Sequence, residues 1–166
     1  MKDVELKLIS ELMKNARKSD RELAVAIGVS QPRVSRMIKK LEKEGIIKEF
    51  TMIPDFAKLG YELMSLTFIK LKDWPNPDEV KPLRNTISQE LHKDIFPDLL
   101  NDRGLGLDSD GIIITLHRSY SDYTKQMDHT RSRPFVKTDH IESSLIDLKD
   151  PFHHRSLTLS LVARAR

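Results

Sequence analysis

No cysteine occurs among the 166 residues. That excludes disulfides and thiolate metal sites and leaves the redox compartment open. No apolar run approaches the roughly 18 to 20 residues needed to cross a bilayer. The opening stretch MKDVELKLIS mixes charges into its apolar residues, unlike a signal peptide. A cytoplasmic protein with no membrane partner is the expectation. The phosphate-cradling G-x-x-x-x-G-K pattern and the G-x-S-x-G nucleophile turn are both missing, so nucleotide hydrolysis and serine-hydrolase chemistry have no support. Histidines are present but not at ligand spacing: His153 and His154 are neighbours that a strand would point to opposite faces, while His92, His117, His129 and His140 stand apart. Asp108-Ser109-Asp110-Gly111 begins like a calcium loop but lacks the terminal glutamate, and reads as a turn leading into a strand. No metal, no cofactor and no enzymatic activity are expected.

What the chain does have is charge, unevenly placed. Charged residues make up 32% and hydrophobic residues 39%, a composition of soluble folded domains with much surface. The formal net charge is +3. Residues 1–60 hold thirteen Lys and Arg against nine Asp and Glu, whereas the remainder is slightly acidic. Within 31–43 five basic residues face one glutamate, Glu42. Such asymmetry points to an anionic partner for the first third.

Local signals divide that first third into helices. Val4, Leu6, Leu8, Ile9, Leu12 and Met13 recur at helical spacing behind Asp3. Ser19-Asp20-Arg21-Glu22 is a capping-box pattern opening a short second helix that ends at Gly28. Ser30 then caps a third helix, with Pro32 in its first turn and Gly45 as its stop. At about 100° per residue, Val34, Met37, Ile38 and Leu41 gather on one face of it. Arg36, Lys39 and Lys43 form the opposite stripe, with Arg33, Ser35 and Lys40 on its shoulders. The stretch from Ile46 to Ile53 favours β-structure and predicts a strand or short hairpin. Two helices joined at a glycine, the second one basic, are the sequence image of a helix-turn-helix, and the trailing strand makes it a winged one. The candidate DNA-binding residues are therefore Ser30, Gln31, Arg33, Ser35, Arg36, Lys39, Lys40 and Lys43. Gln31, Arg33, Ser35 and Arg36, in the N-terminal half, suit base edges in the major groove. Lys39, Lys40 and Lys43 suit phosphates, and Ser30 sits where a helix N-terminus favours an anion.

Beyond 54–61, expected as a linker, the pattern changes. Strands are expected at Leu63–Leu71, weakly within 95–107, at Ile112–Leu116 and at Ile141–Leu148. Helices are expected over about 77–93 and around Tyr120, Tyr123 and Met127 after the cap Ser119. This order, βαββαβ, is the ferredoxin-like arrangement, so the fold class is α+β. The expected domains are a winged helix-turn-helix at 1–53, a ferredoxin-like oligomerisation and candidate effector domain at 62–150, and a tail at 151–166 that adds an edge strand or a subunit contact. Apolar residues on both faces of the first and third strands predict a sheet with one side on its helices and the other against a second copy. A homodimer or larger homo-oligomer is thus the expected state.

Asp3-Val4-Glu5-Leu6-Lys7-Leu8-Ile9, Arg17 to Ala24, Gly28-Val29-Ser30 with Val34 and Arg36 to Glu42, and Gly45-Ile46-Ile47 together resemble the leucine-responsive regulatory protein (Lrp/AsnC) family of bacterial and archaeal transcription regulators. The resemblance covers nearly all of 3–60; over 61–150 it lies in pattern and order. It implies a sequence-specific regulator that binds double-stranded DNA as a dimer or higher oligomer. The family's effector-sensing members show a Gly-x-x-Asp turn where this chain has Arg103-Gly104-Leu105-Gly106-Leu107-Asp108, out of that spacing, which leaves a small-molecule effector open. Two alternatives stand beside this reading. One is an architectural DNA binder of low specificity. The other is an enzyme resembling the siroheme decarboxylases, which share the domain order; His117-Arg118 is the feature it would rest on.

Overall fold

The structure, a computed structural model, describes residues 1–72, 96–152 and 158–164. It divides into two compact units: Met1–Pro54 with His153–Arg166, and Asp55–Phe152. The helix expected over about 77–93 lies outside the described residues.

Three helices build the N-terminal unit: α1 (Asp3–Lys14), α2 (Asp20–Ile27) and α3 (Gln31–Lys43). The α2 start follows its sequence signal. Ser19 accepts a hydrogen bond from the Glu22 amide, and the Glu22 carboxylate accepts one from Ser19 N at 2.7 Å. Gly28 closes α2 at φ 70°, ψ 40°, the left-handed conformation that a side chain resists, so the chain can turn into α3. Leu8, Leu23, Val34 and Leu41 are buried to 1% exposure or less and form the core with Ala24 and Met37. Ile38, Val29 and Ile47 pack around it.

The strand expected at 46–53 is not formed. Ile46 N and Ile47 N both donate to the Leu41 carbonyl, which ends α3, and nothing in this stretch pairs with a second strand among the described residues. A strand needs a partner for its backbone groups, and Phe50 and Met52 instead stand 49% and 78% exposed. Nor do the described tail residues form a strand. Val162–Arg164 is a 3-10 turn whose Ala163 is buried and accepts a hydrogen bond from Ser10 Oγ of α1 at 2.8 Å.

The second unit is a four-stranded antiparallel sheet made by β1 (Leu63–Leu71), β2 (Asp98–Gly106), β3 (Ser109–His117) and β4 (Val136–Asp147). The spatial order is β2-β3-β1-β4, with the helix α4 (Tyr120–Ser132) between β3 and β4 in sequence. Ser119 caps α4 through the Asp122 amide, as its sequence position suggests. Cross-strand pairs Leu63–His117, Ser65–Thr115, Thr67–Ile113 and Ile69–Gly111 share one face. Gly111 is glycine because a Cβ there would lie 2.9 Å from Ile69 Cγ1.

That face holds the unit's main surprise. It is the buried side, covered by α4, yet Ser65, Thr67 and Thr115 are fully buried on it and His117 is 1% exposed. Thr115 Oγ1 donates to Asp98 at 2.6 Å, Gln126 Nε2 of α4 donates to Thr115 Oγ1 at 2.6 Å, and Ser65 Oγ meets His117 Nε2 at 2.8 Å. The opposite face carries Met64, Leu66, Phe68, Ile112 and Ile114, all only partly buried. Apolar residues thus crowd the open side, while on the closed one polar residues bonded to one another lie beside the apolar cluster Ile69, Ile113 and Val136.

Candidate nucleic-acid interface

The third helix presents two surfaces with opposite chemistry. Its apolar side, Val34, Met37 and Leu41, is sealed against α1 and α2. Arg36, Lys39 and Lys43 lie on the other side, with Gln31 exposed and Ser35 partly so. Arg36 lies back along the helix, its Nε donating to the Pro32 carbonyl at 3.2 Å, so the guanidinium's other N–H groups face outward. Ser30 occupies the N-cap position but its side chain makes no capping bond. Its hydroxyl and the α3 N-terminus remain open to an anion. These positions are brought together on one helix face and its rim.

Lys40 departs from the expected role. Its Nζ is 2.7 Å from Glu5 Oε1 and 3.6 Å from Glu44 Oε1. Glu5 is buried to 4% exposure, and its second oxygen accepts the Lys2 amide at 2.7 Å, holding the N-cap of α1. The hydrogen bond from Lys40, then that from the Lys2 backbone, hold the Glu5 carboxyl below the usual carboxylate range. The same bond to Glu5 raises Lys40 above the usual lysine range. Lys40 is therefore a strut between α1 and α3. Its charge is largely committed within the unit.

Two residues that sequence reasoning passed over stand out here: Glu5 and Lys2. Glu5 carries a legible signal, since it lies in helical phase with Leu8 and Leu12 on the apolar stripe of α1, where a carboxylate needs a partner. Lys2 carries none beyond its place just before α1. Arg33 is exposed. It lines a shallow cleft of about 310 Å³ with Lys2, Glu5, Arg36 and Lys40, on the α1 side of the helix.

His117 and Arg118 part company in the structure. His117 is enclosed, edge-on to Tyr123 at 5.5 Å, and desolvation lowers its pKa against a smaller opposing pull from Asp122. Arg118 is exposed over the Tyr61 ring at 4.9 Å and donates to Leu59 O. Of the pair on which the decarboxylase reading would rest, His117 is thus buried and Arg118 is exposed. Among the described residues no group of histidines and carboxylates is placed to hold a metal ion, and no helix is long and apolar enough to cross a membrane.

Comparison with known proteins bears on the same surfaces. The family described as winged helix-turn-helix DNA-binding matches residues 1–48. An HTH-type transcriptional regulator of Pyrococcus furiosus, PF0054, is 33% identical over 125 residues, covering 72% of this chain and 80% of that protein. The leucine-responsive regulatory protein of Rhizobium meliloti is 32% identical over 69 residues, 42% of this chain and 44% of its own. The crystal structure of PH0061, an HTH-type regulator of Pyrococcus horikoshii, superposes with a TM-score of 0.73 at 28% identity, covering 95% of this chain and 97% of that one. In sequence, the chain matches about half the length of three Pyrococcus relatives, PH0061 among them.

Proposed function

Since the chain belongs to the Lrp/AsnC family of HTH-type transcriptional regulators, we propose that it binds double-stranded DNA sequence-specifically, with α3 in the major groove. The observation that carries this is the division of α3 itself: an apolar side sealed in the core and an outward stripe of Arg36, Lys39 and Lys43. Gln31, Ser35 and Arg36 are the side chains for base edges, since glutamine matches adenine and arginine matches guanine. Lys39 and Lys43 hold phosphates, which set affinity and register.

The protein acts as a dimer or larger oligomer through the open sheet face. Met64, Leu66, Phe68, Ile112 and Ile114 make that face apolar, and such a patch marks association. Two recognition helices related by a twofold axis then read two half-sites. Selection from a randomised duplex pool, followed by sequencing, tests this reading against the architectural one. A two-part, roughly palindromic consensus is expected. Enrichment of no sequence over the starting pool, with binding retained, would make the protein an architectural DNA binder.

A further inference from the structure

The cleft beside α3 is strongly basic although a carboxylate sits in it. Lys2, Arg33, Arg36 and Lys40 line it around the single Glu5, and Val4 and Met37 give it an apolar floor. At about 100° per residue, Arg33, Arg36 and Lys40 fall within one narrow arc of the helix, facing the start of α1. Neither Lys2 nor Arg33 has an acidic partner among the described residues, whereas Lys40 is spent on Glu5. Arg36 belongs both to this cleft and to the outward stripe, so the two surfaces are continuous.

We infer that Lys2 and Arg33 form a binding site for DNA backbone phosphate outside the groove that α3 enters, with Arg36 at its border and Glu5 as the positioning residue that braces it. The inference rests on the DNA-binding reading above and adds to it a contact from the first helix. The chemistry of the lining fits a phosphodiester better than a free anion. Lysine and arginine head groups meet the charged oxygens, and the Val4–Met37 floor offers apolar contact to the adjoining sugar. Glu5 acts through others. One of its oxygens fixes the Lys2 backbone at the cleft's edge and the other pairs with the Lys40 ammonium in its lining. The contact fixes the protein's register on the duplex without reading sequence.

The test is a fluorescence-anisotropy titration of a labelled mixed-sequence duplex by the full chain and its Lys2→Ala, Arg33→Ala and Glu5→Gln variants. Each is measured at low and moderate salt, with helix content followed by circular dichroism. Each phosphate contact accounts for roughly a threefold loss of affinity between about 50 and 200 mM salt. Lys2→Ala and Arg33→Ala should each lessen the parent's salt sensitivity by about that factor per DNA-binding unit engaged. Glu5→Gln is the sharper variant. Removing a negative charge should tighten DNA binding if charge alone matters, whereas loss of the brace should weaken it and flatten its salt dependence. Tighter binding by Glu5→Gln would overturn the bracing role. If Lys2→Ala and Arg33→Ala keep the parent's salt dependence while Arg36→Ala/Lys39→Ala loses it, the cleft site is overturned and the DNA-binding reading stands. If the parent itself does not bind, both fall. Should Glu5→Gln fail to fold, the two surface variants still decide the matter, because neither side chain is buried.

Discussion

The two units of this chain differ in what they bury. The N-terminal core cluster is apolar, whereas the sheet unit sets Ile69, Ile113 and Val136 beside buried polar side chains. The N-terminal unit closes its apolar residues in, with Leu8, Val34 and Leu41 at 0% exposure, and turns its charges outward. In the sheet unit Ser65, Thr67, Thr115 and His117 sit under the helix-covered face, and the row Met64, Leu66 and Phe68 is left on the open one. The first unit has a closed core and offers charge to a partner. The second offers apolar surface. That contrast underlies the proposed division of labour between a DNA reader and an assembly platform.

Several changes would break or sharpen it. Phe68→Lys places a charge in the middle of the open face. It should abolish self-association while leaving the sheet intact, read by sedimentation velocity beside circular dichroism; an unchanged oligomer would move the interface elsewhere. Leu41→Ala opens a cavity in the closed core and should cost about 2–5 kcal/mol of the N-terminal unit's stability. Urea unfolding should show that loss without any shift in the sheet unit. Thr115→Val keeps the volume but removes the hydroxyl shared by Asp98 and Gln126, a change expected to cost about 1–3 kcal/mol. A neutral result would mean that the polar filling of the sheet unit is not what holds α4 down.

The smallest expected effect concerns acid. Glu5 is held below its ordinary value of 4.5 in the folded state, so the unfolded chain takes up its proton first as pH falls. Its stabilising contribution is complete above about pH 4.5 and is lost as pH drops through the folded value. The difference between parent and Glu5→Gln in unfolding midpoint should therefore shrink as the solution is acidified below that point, and a difference that persists unchanged would separate Glu5 from the acid response.

How much of this was legible in the sequence follows the same divide. The Ser19–Glu22 capping box, the left-handed turn at Gly28 and the amphipathic α3 depend on residues within a turn or two of each other, and they could be read directly. The Lys40–Glu5 pair joins positions 35 apart, and while the i,i+4 neighbour Glu44 is legible locally, nothing in α3 announces the bond to α1. In the sheet unit the strands were legible from their β-favouring runs, but the polar filling of their closed face was not. Counting only the apolar residues Leu63, Ile69 and Leu71 hid the Ser65 and Thr67 between them, which become tolerable inside only through partners on other elements. The stretch from Ile46 to Ile53 shows the converse error. Its alternation is real, but alternation does not supply a neighbouring strand, and among the described residues none is there. The place of Arg33 in the N-terminal half of α3 suggests a base contact, and only the packing of α1 shows that it also lines the cleft with Lys2.

The most direct test of the central claim is a titration of a mixed-sequence duplex by the full chain at low and moderate salt, with Arg36→Ala/Lys39→Ala beside the parent. With Lys39 and Lys43 of each of the two proposed recognition helices on phosphates, binding should weaken about a hundredfold between about 50 and 200 mM salt, and the double variant should bind more weakly with a flatter dependence. A folded, self-associating protein that binds no duplex even at low salt would contradict the claim that α3 is a DNA-reading helix.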